Sequence, residues 1–92
     1  MRYETNKNVT LRSVAGDYLL IAPGEPCPTV LEINRGAAWY WTKLSAGEDS
    51  ESVLRRAAEA VGREAEELRP SFELLLARLE TLGFLSARPS EE

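Results

Sequence analysis

Apolar and polar positions change rhythm once along the chain, close to residue 35. Before that point the period is two. Val9 and Leu11 alternate with Thr10 and Arg12, so both can share the buried face of a strand. Ala15-Gly16-Asp17 reads as a tight turn. Tyr18-Leu19-Leu20-Ile21 follows as an apolar run suited to pair back as a hairpin. Pro23-Gly24-Glu25-Pro26-Cys27-Pro28 forces a loop, because proline removes donors and restricts its neighbours. Thr29 to Ile33 then reads as a third strand, with Leu31 and Ile33 on one face and Val30 and Glu32 on the other.

Beyond residue 35 the period is helical. Ala37 to Leu44 forms a short helix in which Tyr40, Trp41 and Leu44 face the core and Trp39 points elsewhere. Ser45 to Asp49 is a connector, and Ser50 is the expected N-cap of a second helix, with Glu51 favouring its dipole. Val53, Leu54, Ala57, Ala58 and Val61 form its apolar stripe, and Gly62 ends it. Leu68, Phe72, Leu75, Leu76, Leu79 and Leu82 mark a third helix, ended by Gly83. Pro70 falls inside this pattern. It either kinks a helix that starts near Glu64 or opens a helix as its first residue. Residues 1 to 6 and 87 to 92 are expected to be polar, fraying tails.

The expected fold class is α+β: a three-stranded antiparallel sheet followed by three helices, the content of a winged helix-turn-helix. The helices must cover the sheet's apolar face, because so small a sheet cannot hide it alone. Residues 1–92 make one domain with an ordered core over about 8–85. The expected core is Leu31, Ile33, Tyr40, Trp41, Leu54, Phe72, Leu75, Leu76 and Leu79.

Composition narrows the chemistry. The chain has no histidine, which removes the commonest general base and transition-metal ligand. Its single cysteine, Cys27, has no partner for a disulfide or a zinc site and has Glu25 close by. No nucleophile–base pair, phosphate-cradling glycine loop or metal-ligand cluster is visible, so neither catalytic residues nor a metal or cofactor are expected. The net charge of −4 disfavours nucleic acid, whose binding depends on neutralising phosphates. No apolar run approaches the roughly 20 residues of a membrane span. The start of the chain lacks the apolar core of a secretion signal, so a cytoplasmic setting is expected.

Two segments carry a family resemblance. Leu31-Glu32-Ile33-Asn34-Arg35-Gly36-Ala37-Ala38-Trp39-Tyr40-Trp41 resembles the strand-to-helix signature of the pyrroloquinoline quinone biosynthesis protein D (PqqD-like) family, with Ile33, Asn34, Ala37, Tyr40 and Trp41 at its defining positions. Leu79-Glu80-Thr81-Leu82-Gly83-Phe84-Leu85 is similar to the family's closing Leu-x-x-x-Gly-Leu-Leu. Val14 to Ile21 suits its opening hairpin, so the resemblance spans residues 8 to 85. The chain departs from the pattern at Ala37, usually Gly, at Ser71, usually acidic, and in the proline loop.

The resemblance implies a stand-alone precursor-peptide recognition element, as found in lasso-peptide and radical S-adenosylmethionine peptide pathways. Its partners would be the leader of a ribosomally made precursor peptide and a modifying enzyme or leader peptidase. The leader would lie as an added strand along Thr29, Val30, Leu31, Glu32 and Ile33, with the third helix as the other wall. On that helix Leu74, Ala77, Arg78 and Thr81 lie off the core stripe and are the candidate groove residues. The rival from another class is a winged-helix DNA-binding regulator. The third helix, however, carries Arg69 and Arg78 against Glu73 and Glu80, so it has no net positive charge from Pro70 onward and no basic stripe.

Overall fold

The computed structural model describes residues 2–88. Eight elements follow in order: β1 (Arg2–Thr5), β2 (Thr10–Val14), β3 (Asp17–Ala22), β4 (Thr29–Ile33), α1 (Arg35–Ser45), α2 (Ser50–Val61), α3 (Ala65–Thr81) and β5 (Leu85–Arg88). They make an antiparallel three-stranded sheet in the order β2-β3-β4, a separate antiparallel pair β1-β5, and three helices. The α+β content and the three-stranded sheet expected from the sequence are present.

The β2–β3 hairpin is closed by two residues, Ala15 and Gly16, both with positive φ (52° and 89°). That geometry matches the right-handed twist of the strands it joins, and it costs Ala15 a left-handed conformation that only glycine adopts freely. The register Leu11↔Leu20↔Leu31 puts one leucine from each strand in a row facing the helices. Leu20 in the central strand is fully buried.

The helix boundaries follow local chemistry. Asn34 caps α1, its Oδ1 accepting from the Ala37 N–H at 2.8 Å, so the helix starts two residues before the expected Ala37. The cap of α2 is Asp49 rather than Ser50. Its Oδ2 accepts from the N–H groups of Glu51 (3.1 Å) and Ser52 (3.3 Å), while Ser50 is already helical and buried. Helix α3 begins at Ala65, with the Glu67 side chain accepting from the Glu64 N–H at 3.0 Å. Pro70 therefore lies within α3 and does not open it. It is exposed, as is Glu66, whose carbonyl loses its helical donor. Gly83, at φ 79°, closes α3: its N–H donates to the Glu80 carbonyl (3.0 Å) and that of Phe84 to Leu79 (2.9 Å).

One core cluster joins Val9, Leu20 and Leu31 of the sheet region to Trp41 and Leu44 of α1, Val53 and Leu54 of α2, and Phe72, Leu76 and Leu79 of α3. Ile33, Tyr40 and Leu75, expected in the core, are only half-buried and pack against its rim. Among the described residues no buried polar side-chain atom lacks a partner.

The ends of the chain correct the expectation of fraying tails. Arg2–Thr5 pairs with Leu85–Arg88, from Arg2↔Arg88 to Thr5↔Leu85; residues 1 and 89–92 lie outside the described residues. Phe84 and Leu85 are buried, and Tyr3 packs on the same cluster. Asn6 ties the two ends together. Its N–H donates to the Phe84 carbonyl at 2.8 Å and its side-chain amide to that of Gly83 at 3.3 Å. No described helix is long and apolar enough to cross a membrane.

Candidate functional site

The sheet order leaves β4 paired on one side only, through Tyr18↔Ile33, Leu20↔Leu31 and Ala22↔Thr29. An edge strand carries backbone N–H and C=O groups on its free side that can pair with an extended chain. Of the predicted strand residues, Leu31 is buried and anchors β4 to the core, and Ile33 is half-buried beside it. Thr29, Val30 and Glu32 are exposed, with Val30 open to 53% of its surface. The preceding loop, with exposed Cys27, ends at Pro28, so no proline interrupts β4 itself.

Helix α3 and β4 contribute to the same core, Leu31 from the strand and Phe72, Leu76 and Leu79 from the helix. The two flanks of that buried stripe differ. One carries Arg69, Glu73 and Glu80. Arg69 is hydrogen-bonded to Glu51 of α2 (3.0 Å from Nη2) and to Glu66 (3.1 Å from Nε). These bonds hold the Glu51 carboxyl below its usual range and the Arg69 guanidinium above its own. Burial raises the pKa of the Tyr3 phenol on β1, and the negative charges of Glu80 and Glu73 raise it further. This flank therefore faces α2 and β1.

At 3.6 residues per turn the opposite flank consists of Ser71, Leu75, Arg78 and Leu82. Leu75 is half-buried and Leu82 is 40% exposed. Of the four helix residues singled out from the sequence, Arg78 lies on this flank. Leu74, Ala77 and Thr81 project from the face directly away from the core, and Leu74 is 72% exposed. The Thr81 hydroxyl donates back to the Ala77 carbonyl at 2.9 Å. Leu75 is expected in the core from its spacing, and Leu82 in the helix's apolar stripe. Their place at the margin of the apolar stripe was the available signal that they line its border instead.

A shallow cleft of about 480 Å³ lies at the end of β4, between the β2–β3 turn and Glu32, Ile33, Asn34 and Arg35. A second, of about 300 Å³, opens between α1 and the strands β2 and β3 and is lined in part by Trp39 and Lys43. Among the described residues no group of histidine, cysteine, aspartate or glutamate side chains is arranged to hold a metal ion.

No protein-family model matches the chain, and neither a curated protein nor a solved structure shows significant similarity to it.

Proposed function

We propose that the chain is a non-catalytic, PqqD-like recognition element of winged helix-turn-helix type. In this reading it captures the leader of a ribosomally made precursor peptide as a strand added to β4, and presents it in the cytoplasm to a separate modifying enzyme or leader peptidase. The observation that carries the reading is the free edge of β4, held rigid from behind by Leu31 and bearing exposed Val30. Backbone pairing along such an edge supplies affinity with little sequence demand, and side-chain contacts supply the selectivity. Leu75, Arg78 and Leu82 form an apolar flank of α3 with one cation, suited to take the inward side chains of the added strand.

The regulator reading draws less support. The outward face of α3 presents Leu74, Ala77 and Thr81 in place of the cations that phosphate contacts require.

Amide hydrogen exchange of the full chain with the leader of a short precursor peptide encoded beside it tests the proposal. Protection should appear along Thr29–Ile33. Leu82→Asp should weaken binding about tenfold or more, because it puts a charge where an apolar contact is desolvated. Leu74→Asp should weaken it less, and a thermal melt of each variant separates lost binding from lost stability. Protection confined to Ala57–Gly62, with β4 unprotected, would rule out strand addition. Sub-micromolar binding to promoter DNA that weakens steeply with salt would favour the regulator.

A further inference from the structure

We infer that the outer face of the β2-β3-β4 sheet, the one turned away from the helices, is a contact surface for a second copy of this chain. The inference is independent of peptide capture, because it uses the face of the sheet and leaves the β4 edge free. Strand β3 carries the first sign. A sheet with one wet face alternates apolar and polar residues along each strand, whereas a strand covered on both faces reads as a continuous apolar run. Tyr18-Leu19-Leu20-Ile21-Ala22 is such a run in the central strand. The helices account for one half of it: Leu20 is buried and Ala22 packs on the core. Leu19 and Ile21 point the other way. Among the described residues they belong neither to the core cluster nor to the side chains packed against it. Exposed Val14 of β2 and Val30 of β4 lie on the same face.

Charge selects the occupant. The register draws two complete rows across this face, Thr10-Ile21-Val30 and Arg12-Leu19-Glu32. The second row has a cation at one edge, an apolar centre and an anion at the other edge. Take a two-fold axis that runs between two stacked sheets, parallel to β3. It sets this row on its own copy with Arg12 against Glu32 at both edges and Leu19 on Leu19 at the centre. The other row then sets Ile21 on Ile21 and Val30 over Thr10. Stacked sheets lie about 10 Å apart with their strands within about 30°, a gap that arginine and glutamate side chains span together. An axis across the strands sets Arg12 on Arg12 and Glu32 on Glu32. Shifted by one row, it leaves each charge against an uncharged side chain.

The face therefore complements itself in one orientation, with an apolar centre and a charged rim, as a closed two-fold dimer requires. Asp17, opposite Val14 at the turn end of β3, is the third charged residue of these strands on this face. Close to the axis it meets its own copy, which opposes association. Three neighbouring strands of five or six residues offer a face of roughly 15 Å by 17 Å, smaller than a standard stable interface. The dimer is accordingly weak, with a dissociation constant of about 10 to 100 µM.

Sedimentation equilibrium of the full chain over a concentration series tests this. The natural chain should pass from monomer to dimer and no further. Arg12→Glu and Glu32→Arg should each weaken the dimer about tenfold or more, because each sets like charges against one another at both edges. An equimolar mixture of these two variants should associate as tightly as the natural chain, because every mixed pair restores opposite charges. Asp17→Asn should tighten the dimer, and Leu19→Asp should abolish it. The mixture alters only exposed side chains, so it decides the matter even if Leu19→Asp folds poorly. A chain that stays monomeric up to about 1 mM overturns the inference and leaves the face to a different protein. A dimer that persists in both charge variants, or a mixture that fails to associate, overturns it as well. Amide protection along β4 that rises with chain concentration would show pairing of edges in place of stacked faces, with the same consequence.

Discussion

The molecule holds two small antiparallel sheets that owe their existence to different things. The β2-β3-β4 sheet is built from near neighbours in sequence: a two-residue turn joins its first pair, and one short loop adds the third strand. The β1-β5 pair joins Tyr3 to Ala87 across nearly the whole chain. Its strands are four residues each, and among Arg2–Thr5 only Tyr3 reaches the core. Such a pair closes a long loop for little apolar gain and cannot stand alone. It forms because α3 delivers Phe84 and Leu85 to the core and so places β5 beside β1. The first sheet presents the candidate binding edge, and the second holds the ends of the chain together behind it.

The largest test of this contrast is Phe84→Ala. Phe84 is almost wholly buried where α3 meets the terminal pair, and the change should cost about 3 to 5 kcal/mol in denaturant unfolding. Amide protection should fall first along β1 and β5. Leu20→Ala removes the centre of the other sheet and should cost about 2 to 5 kcal/mol. The two should separate in kinetics. Leu20→Ala is expected to slow folding, because the hairpin sheet forms early, whereas Tyr3→Ala is expected mainly to speed unfolding, because the pairing of the ends forms last. Equal slowing of folding by both would break the contrast.

A smaller effect follows from pH. Burial and the charges of Glu80 and Glu73 raise the Tyr3 phenol above its ordinary value of 10.0. The folded state therefore favours the neutral phenol. That stability is fully present below pH 10.0 and is lost as pH rises through the higher folded value. Burial raises Tyr40 as well, so the useful measurement is the difference between the natural chain and Tyr3→Phe in alkaline melts. The natural chain should lose more stability above pH 10.0. Identical alkaline melts would remove Tyr3 as a source of that loss. Ala15→Gly is the smallest change: it relieves the positive φ in the hairpin turn and should stabilise by up to about 1 kcal/mol.

Three strands and three helices were legible because each is written in local periodicity. Val9 and Leu11, Leu31 and Ile33, and the Phe72–Leu76–Leu79 stripe all lie on the faces their spacing predicts. The caps were legible in kind but not in place. Asp49 and Ser50 are adjacent residues of capping type, and the choice between them depends on which has already entered helical geometry. Pro70 was undecidable for a similar reason. Its cost inside a helix depends on how buried the site is, and Pro70 and Glu66 are both exposed.

By itself, then, the sequence determined three strands and three helices, the main inward stripe of the helices, the lack of histidine chemistry and the strand Thr29–Ile33 that carries the candidate edge. Only the tertiary structure decided the β1-β5 pair and which flank of α3 faces α2 and β1. The same holds for the meeting of Arg35, Trp39 and Lys43 with Leu11 and Tyr18. The reason is one of range. Periodicity reports which way a side chain points relative to its own element, at a separation of a few residues. A pairing of chain ends, or a cleft walled by a helix and two strands, depends on contacts between distant segments, which no local pattern encodes.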